Sequence, residues 1–160
     1  MQTFNGNARL TESAVREVTL TLDNGNVYAA GDVLAATQEV TSAVRVDGGS
    51  AVWQSAVVLD QDDQAQALDL VLLRTNVGIG AENAAVSVAD ADADEILGIV
   101  EVTAGDYVDL VNSQLVTKDN LGIVVNGGAG SSSLFIAAIS RGTGTYTTIG
   151  ITLKLGFLWD

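Results

Sequence analysis

The chain has 160 residues with a net charge of −13, from 20 acidic against 7 basic residues, and contains neither histidine nor cysteine. Without those two residue types, ordinary zinc sites and histidine-dependent nucleophilic catalysis are excluded. So acidic a surface repels phosphate backbones and anionic lipid, and we expect neither nucleic acid nor a membrane as a partner.

The beginning of the chain predicts an arm followed by a first strand. Residues 1–11 lack a regular pattern and form an N-terminal arm, without the charged and apolar regions of a secretory signal. The remaining residues, 12–160, fit the usual length of one domain. Within them, residues 17–22 alternate polar and apolar side chains, which predicts a strand, and the turn-forming residues 23–26 end it.

A hairpin is predicted next, over residues 43–60. The Gly48–Gly49 pair supplies the positive backbone dihedrals that a tight turn requires. On the returning strand, Trp53, Val57 and Leu59 fall on alternate positions. We therefore expect these three side chains to share one face of that strand.

Later segments predict one strand buried on both faces, one short helix and several further strands. Residues 68–74 are apolar on both faces, as an inner strand of two packed layers would be. Residues 89–95 predict one or two helical turns. Asp90 can cap them, and the acids that follow are favoured by the positive end of the helix dipole. Further strands are predicted at residues 35–40, 96–103, 108–111, 114–117, 121–125 and 134–139.

The segment from Thr148 to Asp160 carries the strongest strand pattern. Apolar side chains occupy every second position, so we expect one buried face and a central place in the sheet. With this segment the chain has about nine or ten short strands, which predicts an all-β fold, a sandwich or barrel with one short helix. The alternating residues are Ile149, Ile151, Leu153, Leu155, Phe157 and Trp159.

One acidic run matches part of the spacing of a calcium-binding loop. Asp90, Asp92 and Asp94, with Glu101, take the first, third, fifth and twelfth positions of such a loop. The sixth position, which requires glycine for its sharp turn, is Glu95. A solvated, capped helix start is the interpretation we favour.

A second acidic group lies between two predicted strands. Asp60, Asp62 and Asp63 could hold a cation or act as paired carboxylates, and we favour the simpler interpretation of an acid-rich turn. No phosphate-binding loop follows the glycines, and no serine lies in a nucleophile elbow. The sequence predicts neither catalytic nor cofactor-binding residues.

The tryptophans are expected in a core or an interface. Both Trp53 and Trp159 lie in phase with apolar neighbours. The last turn of its own strand cannot easily cover Trp159, because that residue stands beside the C-terminus. We therefore predict that Phe157, Leu158 and Trp159 form an interface with a neighbouring subunit.

Two stretches of the chain resemble small proteins of tailed bacteriophages, those of marine phages above all. They are DQDDQAQALDLVLL, residues 60–73, and SLFIAAISRGTGTYTTIGITLKLGFLWD, residues 133–160. With VRVDGGSAVWQSAVVL, residues 44–59, the likeness extends from Ala43 to the C-terminus. The phage proteins in question look like head decoration (cement) proteins or related virion proteins.

The resemblance implies a fold and a role. Such decoration proteins are commonly jelly-roll-like β-domains that assemble as trimers on the major capsid protein and stabilise the head against internal DNA pressure. It implies a virion protein on the capsid surface, assembled in the host cytoplasm, with no catalytic residues. The N-terminal arm, including Phe4, would then reach a neighbouring subunit or the capsid.

Two alternatives stay open at the level of the sequence. A phage fibre or adhesion module that binds host glycan requires exposed aromatic side chains beside Asp or Glu. A carbohydrate-active enzyme requires a cleft that holds two carboxylates, one of them with a raised pKa.

Overall fold

The computed structural model describes residues 12–159, and these residues form ten β-strands and two single turns of 3-10 helix, at Ala93–Glu95 and Ala104–Asp106. The all-β prediction is therefore confirmed. The strands are β1 (Glu12–Thr19), β2 (Val33–Val40), β3 (Ser50–Asp60), β4 (Leu68–Leu73), β5 (Ile96–Val102), β6 (Val108–Asp109), β7 (Gln114–Lys118), β8 (Ile123–Asn126), β9 (Leu134–Ser140) and β10 (Ile151–Trp159).

The strands form two antiparallel sheets with the order of a jelly roll. The first sheet runs β1-β10-β3-β7-β6, with β8 also paired to β3, and the second runs β2-β9-β4-β5. The pairs β1 with β10, β2 with β9, β3 with β7 and β8, and β4 with β5 make one long antiparallel ribbon. Rolling that ribbon places successive strand pairs in alternate sheets, which gives the double-sheet jelly roll.

The terminal strand is central, as its alternation predicts. Strand β10 lies between β1 and β3, and its inward side chains, from Ile151 to Phe157, are buried between the sheets. The prediction for Ile149 is wrong, because this residue lies in the turn that precedes the strand and is 63% exposed. The buried stripe therefore begins two residues later than the pattern indicates.

The predicted hairpin over residues 43–60 is wrong. Strands β2 and β3 belong to different sheets, and residues 41–49 form the connection between them. Gly48 does adopt a positive φ of 66°, but its N–H donates to the Ser131 carbonyl oxygen and not across a hairpin. Gly48 therefore does form a turn. The predicted pairing of the flanking segments is wrong, because a local turn signal does not specify which strands pair.

A β-bulge in β3 overturns the predicted face of two residues. Trp53 is fully buried, whereas Val57 and Leu59 point outward, because the register against β10 shifts between Gly156 and Phe157. One extra residue in a strand moves every later side chain to the opposite face. At Gly156 a Cβ would collide with Ser55 Oγ, so a larger residue at this point requires the Ser55 side chain to change its rotamer.

Strand β4 is buried on both faces, as predicted. Its inner face joins the main core, and its outer face packs against a second apolar cluster formed with residues 77–88. This covering segment is attached by backbone hydrogen bonds, among them Val33 N–H to the Ala84 oxygen at 2.8 Å. The chain thus supplies its own cover for the outer face of the second sheet.

The predicted helix at residues 89–95 shortens to the single turn Ala93–Glu95. Its N-cap is Asp92, whose side chain makes no capping hydrogen bond, so the predicted capping by Asp90 is wrong. Among residues 12–159, no helix combines the length and apolar composition that crossing a bilayer demands.

Candidate interaction face

The outer face of the first sheet has no cover from residues 12–159 comparable to the one over the second sheet. Its apolar side chains belong to neither buried cluster of the described chain. We call this surface the open face. By register and alternation its members are Ser13, Val15, Glu17 and Thr19 of β1, Thr152, Lys154, Gly156 and Leu158 of β10, Val52, Ser55, Val57 and Leu59 of β3, Leu115 and Thr117 of β7, Val108 of β6 and Val124 of β8.

Eight of the sixteen side chains of the open face are apolar. Val15 and Val124 are 65% and 75% exposed, at opposite sides of the sheet, and Val108 is 59% exposed at its far edge. The valines and leucines between them are partly shielded, because side chains on neighbouring strands cover one another. A sheet face of this kind normally packs against another layer, and contiguous exposed apolar area marks an interaction site.

The open face carries no net charge. Its only charged residues are Glu17 and Lys154, which lie opposite each other on β1 and β10 with Nζ and Oε2 3.9 Å apart. The two charges cancel, so the entire net charge of −13 belongs to the rest of the chain. An apolar surface without net charge on so acidic a protein is where another protein surface can approach with the least repulsion.

The hairpin between β6 and β7 extends the apolar surface beyond the sheet. Leu110 and Val111 are 50% and 78% exposed, and Val111 has a φ of +78°. Left-handed backbone at a β-branched residue costs about 1–3 kcal/mol, and such strain concentrates at functional positions. Asp109 Oδ1 holds the turn by accepting the Val111 N–H at 2.7 Å.

The residues predicted to form the subunit interface take three different positions. Leu158 lies on the open face, whereas Phe157 is in the core. Trp159 is partly buried within its own chain, because its Nε1–H donates to the Ala43 oxygen at 2.9 Å and the Arg16 guanidinium lies 5.3 Å from its ring. A role of Trp159 in a subunit contact stays a prediction, and Phe4 lies outside the described residues.

Asp60, the first of the acids predicted as cation ligands, organises a loop. Its carboxylate is fully buried and accepts three backbone N–H groups, from Asp62 at 3.0 Å, Gln64 at 2.9 Å and Ala65 at 2.8 Å. Burial raises the pKa of Asp60, and the three hydrogen bonds oppose that rise. The carboxylate therefore closes the connection from β3 to β4.

The other two acids of that group also have partners within the chain. Asp62 accepts hydrogen bonds from the backbone and hydroxyl of Thr147, and Asp63 accepts one from Gln114 at 2.6 Å. The loop is thereby tied to the connection before β10 and to β7.

Asp90, Asp92 and Asp94 surround the short turn before β5 and do not converge. Asp90 and Asp94 are exposed, and Glu101 lies within β5 opposite Asp69 of β4. Over residues 12–159, no three acidic side chains are grouped closely enough to hold a metal ion.

A cleft of about 550 Å³ lies beside β5, lined by Glu101 and Lys118 among others. Asp69, at its wall, accepts a hydrogen bond from Arg141 Nε at 2.7 Å and forms an ion pair with Arg141, whose Nη2 lies 2.6 Å from the same oxygen. Lys118 in turn is 2.7 Å from Asp106. Asp69, Arg141 and Lys118 are therefore each paired with an oppositely charged side chain.

The aromatic residues do not form a sugar-binding platform in the part of the chain that the structure describes. Trp53, Tyr28, Tyr146 and Phe157 are buried, and the other aromatic side chains among residues 12–159 are partly covered. The glycan-binding alternative requires an exposed ring beside a carboxylate, and within these residues no aromatic ring is exposed.

Sequence patterns alone did not single out the open face. The signal was present in β3 and β8, where AVWQSAVVL and IVV place apolar residues on both faces. Alternation shows that a second face is apolar, but only the folded chain shows which of these faces remains uncovered.

No family model and no curated protein matches the chain. Among solved structures, one of Desmodium yellow mottle tymovirus is 12% identical with a TM-score of 0.30, covering 94% of this chain and 82% of that one. A structure of infectious bursal disease virus, Gx strain, is 14% identical with a TM-score of 0.22, covering 92% and 37% respectively. These scores are too low to establish a shared fold, so the jelly-roll assignment rests on the strand order.

Proposed function

We propose that this protein is a structural component of a phage virion, a decoration (cement) protein that assembles as a homotrimer and binds the outer surface of the head. The observation that carries the proposal is the open face, a broad sheet surface without net charge that residues 12–159 leave uncovered. The resemblance to bacteriophage proteins over residues 43–160 supports a phage head as the surface that the protein binds.

The physical basis of such a role is repetition. A decoration protein binds many equivalent positions of an icosahedral shell, so modest contacts per subunit sum to a large total when the subunits are joined to one another. A rigid scaffold serves this purpose, and here two sheets enclose a continuous core in which Leu70, Leu153 and Ile136 are fully buried. A jelly roll is also found in lectins and cupins, so the fold by itself does not decide the function.

The N-terminal arm, residues 1–11, is proposed as the segment that reaches a neighbouring subunit or the capsid. It immediately precedes β1, the edge strand of the first sheet. Removing the arm should weaken binding to heads while leaving the melting temperature of residues 12–160 unchanged. Undiminished head binding after the deletion would contradict this part of the proposal.

The deciding experiment is cryo-electron microscopy of virions from the phage that encodes the chain. Decoration requires density for the jelly roll at many equivalent positions across the shell, with three copies around each position. Density confined to the tail or to projecting fibres would replace the proposal with an adhesion role. A complementary binding assay adds the purified protein to heads assembled without it, and heads that gain no resistance to heat or chelator would also count against decoration.

A further inference from the structure

We infer that the open face is the surface through which copies of this chain bind one another. The inference deepens the proposed function, on whose self-association it rests, by assigning the face to a second copy and not to the capsid. Three observations support it: the distribution of charge, the size of the face and the nature of its side chains.

The charge distribution favours a second copy at this face. Two copies each carrying −13 repel one another wherever their acidic surfaces meet. Glu17 and Lys154 compensate each other within the open face, so two such faces can approach without a net electrostatic penalty. A basic partner, by contrast, would gain nothing from an uncharged face and would be attracted to the acidic remainder of the surface.

The size of the face fits a stable contact between subunits. Strands β1, β10 and β3, with β7 and β8 beside them, are about 4.8 Å apart, and the nine residues of β10 extend about 30 Å. The face therefore measures about 600 Å² on each copy, and covering it on two copies buries about 1,200 Å². That area is at the lower end of the range for specific protein interfaces.

The side chains of the face suit packing of one sheet against another. Valine, leucine and threonine predominate, and among the described members there is no aromatic residue or arginine to anchor a pocket. Flat β-branched surfaces pack layer against layer at about 10 Å, as the two sheets of a sandwich do.

The test uses charge insertion at exposed positions that do not contribute to the core. In the face variant, Val15→Glu and Val124→Glu place one acid on each half of the open face. In the matched control, Val27→Glu and Val46→Glu add the same charges at valines that are 63% and 61% exposed and lie outside the face. Circular dichroism and thermal melting of dilute samples establish that both variants fold.

The mass in solution, measured by sedimentation over a range of protein concentration, is the readout. We expect the wild type and the control to associate equally, and the face variant to associate about 100-fold more weakly or to remain monomeric, because it desolvates unpaired acids in the contact. A wild type that stays monomeric, or a control that dissociates as much as the face variant, would overturn the inference. So would a face variant that keeps its full oligomeric mass.

Binding to heads separates this inference from the proposed function. A face variant that remains oligomeric but no longer binds heads would show that the open face contacts the capsid, which overturns the inference and leaves decoration standing. A wild type that associates through the face but binds no heads would support the inference and contradict decoration.

Discussion

Replacing Asp60 by asparagine tests whether this carboxylate holds one end of the jelly roll together. Asp60 ends β3, is fully buried and receives the N–H groups of Asp62, Gln64 and Ala65. Because the same loop binds Thr147 through Asp62, loosening it would also release the connection that leads into β10. Asparagine has the same shape, and it changes only the charge and one acceptor.

The expected cost follows from the hydrogen bonds. An amide oxygen at the Oδ2 position could keep the donors from Gln64 and Ala65, but the amide NH₂ would then face the Asp62 N–H, which loses its acceptor. A buried donor without a partner costs about 1–3 kcal/mol, and hydrogen bonds to a neutral acceptor are weaker than those to a charged one. Burial disfavours the charged carboxylate, as its raised pKa shows, so relief of that charge offsets part of this loss, and we expect a destabilisation of about 1–2 kcal/mol at neutral pH.

Thermal and urea unfolding at pH 7 provide the assay. A domain of this size loses about 2–4 °C of melting temperature per kcal/mol, so Asp60→Asn should melt about 2–8 °C below the wild type. The matched control is Asp63→Asn, which removes charge from an exposed side chain with one partner and should change the melting temperature little. An Asp60→Asn protein as stable as the control would refute the assignment of Asp60 as the organiser of the loop.

The pH dependence of the same pair of proteins has a definite sign. Burial raises the pKa of Asp60 in the folded protein. A carboxyl with a raised folded pKa contributes most below its unfolded pKa of about 3.9 and loses that contribution as the pH rises through the folded value. The difference in stability between wild type and Asp60→Asn should therefore be larger below pH 4 than at pH 7. A difference that grows with pH would contradict the direction of the shift.

Three further predictions concern other parts of the molecule. Gly150→Ala should lower the free energy of unfolding by about 1–3 kcal/mol, because its Cβ would collide with the Asp62 carboxylate, whereas Gly78→Ala, with open space around it, should be neutral or slightly stabilising in the same urea titration. Lys118 and Thr103 lower the pKa of Asp106 to about 2, so Asp106→Asn should reduce stability at pH 7, and the difference should disappear in melting curves taken as the pH falls from about 4 to 2. Raising the NaCl concentration should strengthen self-association in sedimentation experiments, since it screens the repulsion between copies, and weakening by salt would indicate a contact made by ion pairs instead.

Local patterns predicted the strands well and their partners poorly. The alternation in residues 151–157 and the double-sided burial of residues 68–73 identify β10 and β4, because both depend on which side chains must leave water. The hairpin over residues 43–60 failed because a Gly-Gly turn fixes the direction of the chain and not the strand to which it returns. The faces of Val57 and Leu59 were predicted wrongly because the bulge opposite Gly156 arises from strand pairing that the local sequence does not reveal.

The candidate site was even less accessible to sequence reasoning, for a related physical reason. Both sheets have apolar outer faces, and the sequence signals of Val71 in β4 and Val57 in β3 are equivalent. The difference is that residues 77–88 fold over the outer face of the second sheet, while residues 12–159 provide no such layer for the first. Whether a sheet face is covered depends on segments that are distant in the sequence, so the two faces become distinguishable only in the folded molecule.

The contrast between the two outer faces also explains why the acidic charge matters for function. A protein with an uncovered apolar sheet is liable to associate indiscriminately, because the hydrophobic effect has no direction. Here the whole net charge of −13 lies outside the open face, so contacts between copies anywhere else on the surface are opposed by repulsion. Attraction at one surface and repulsion at the others together restrict association to a defined geometry, which is the condition for a closed oligomer instead of an open-ended aggregate. An assembly that must occupy equivalent positions on a lattice depends on that restriction as much as on the strength of the contact itself.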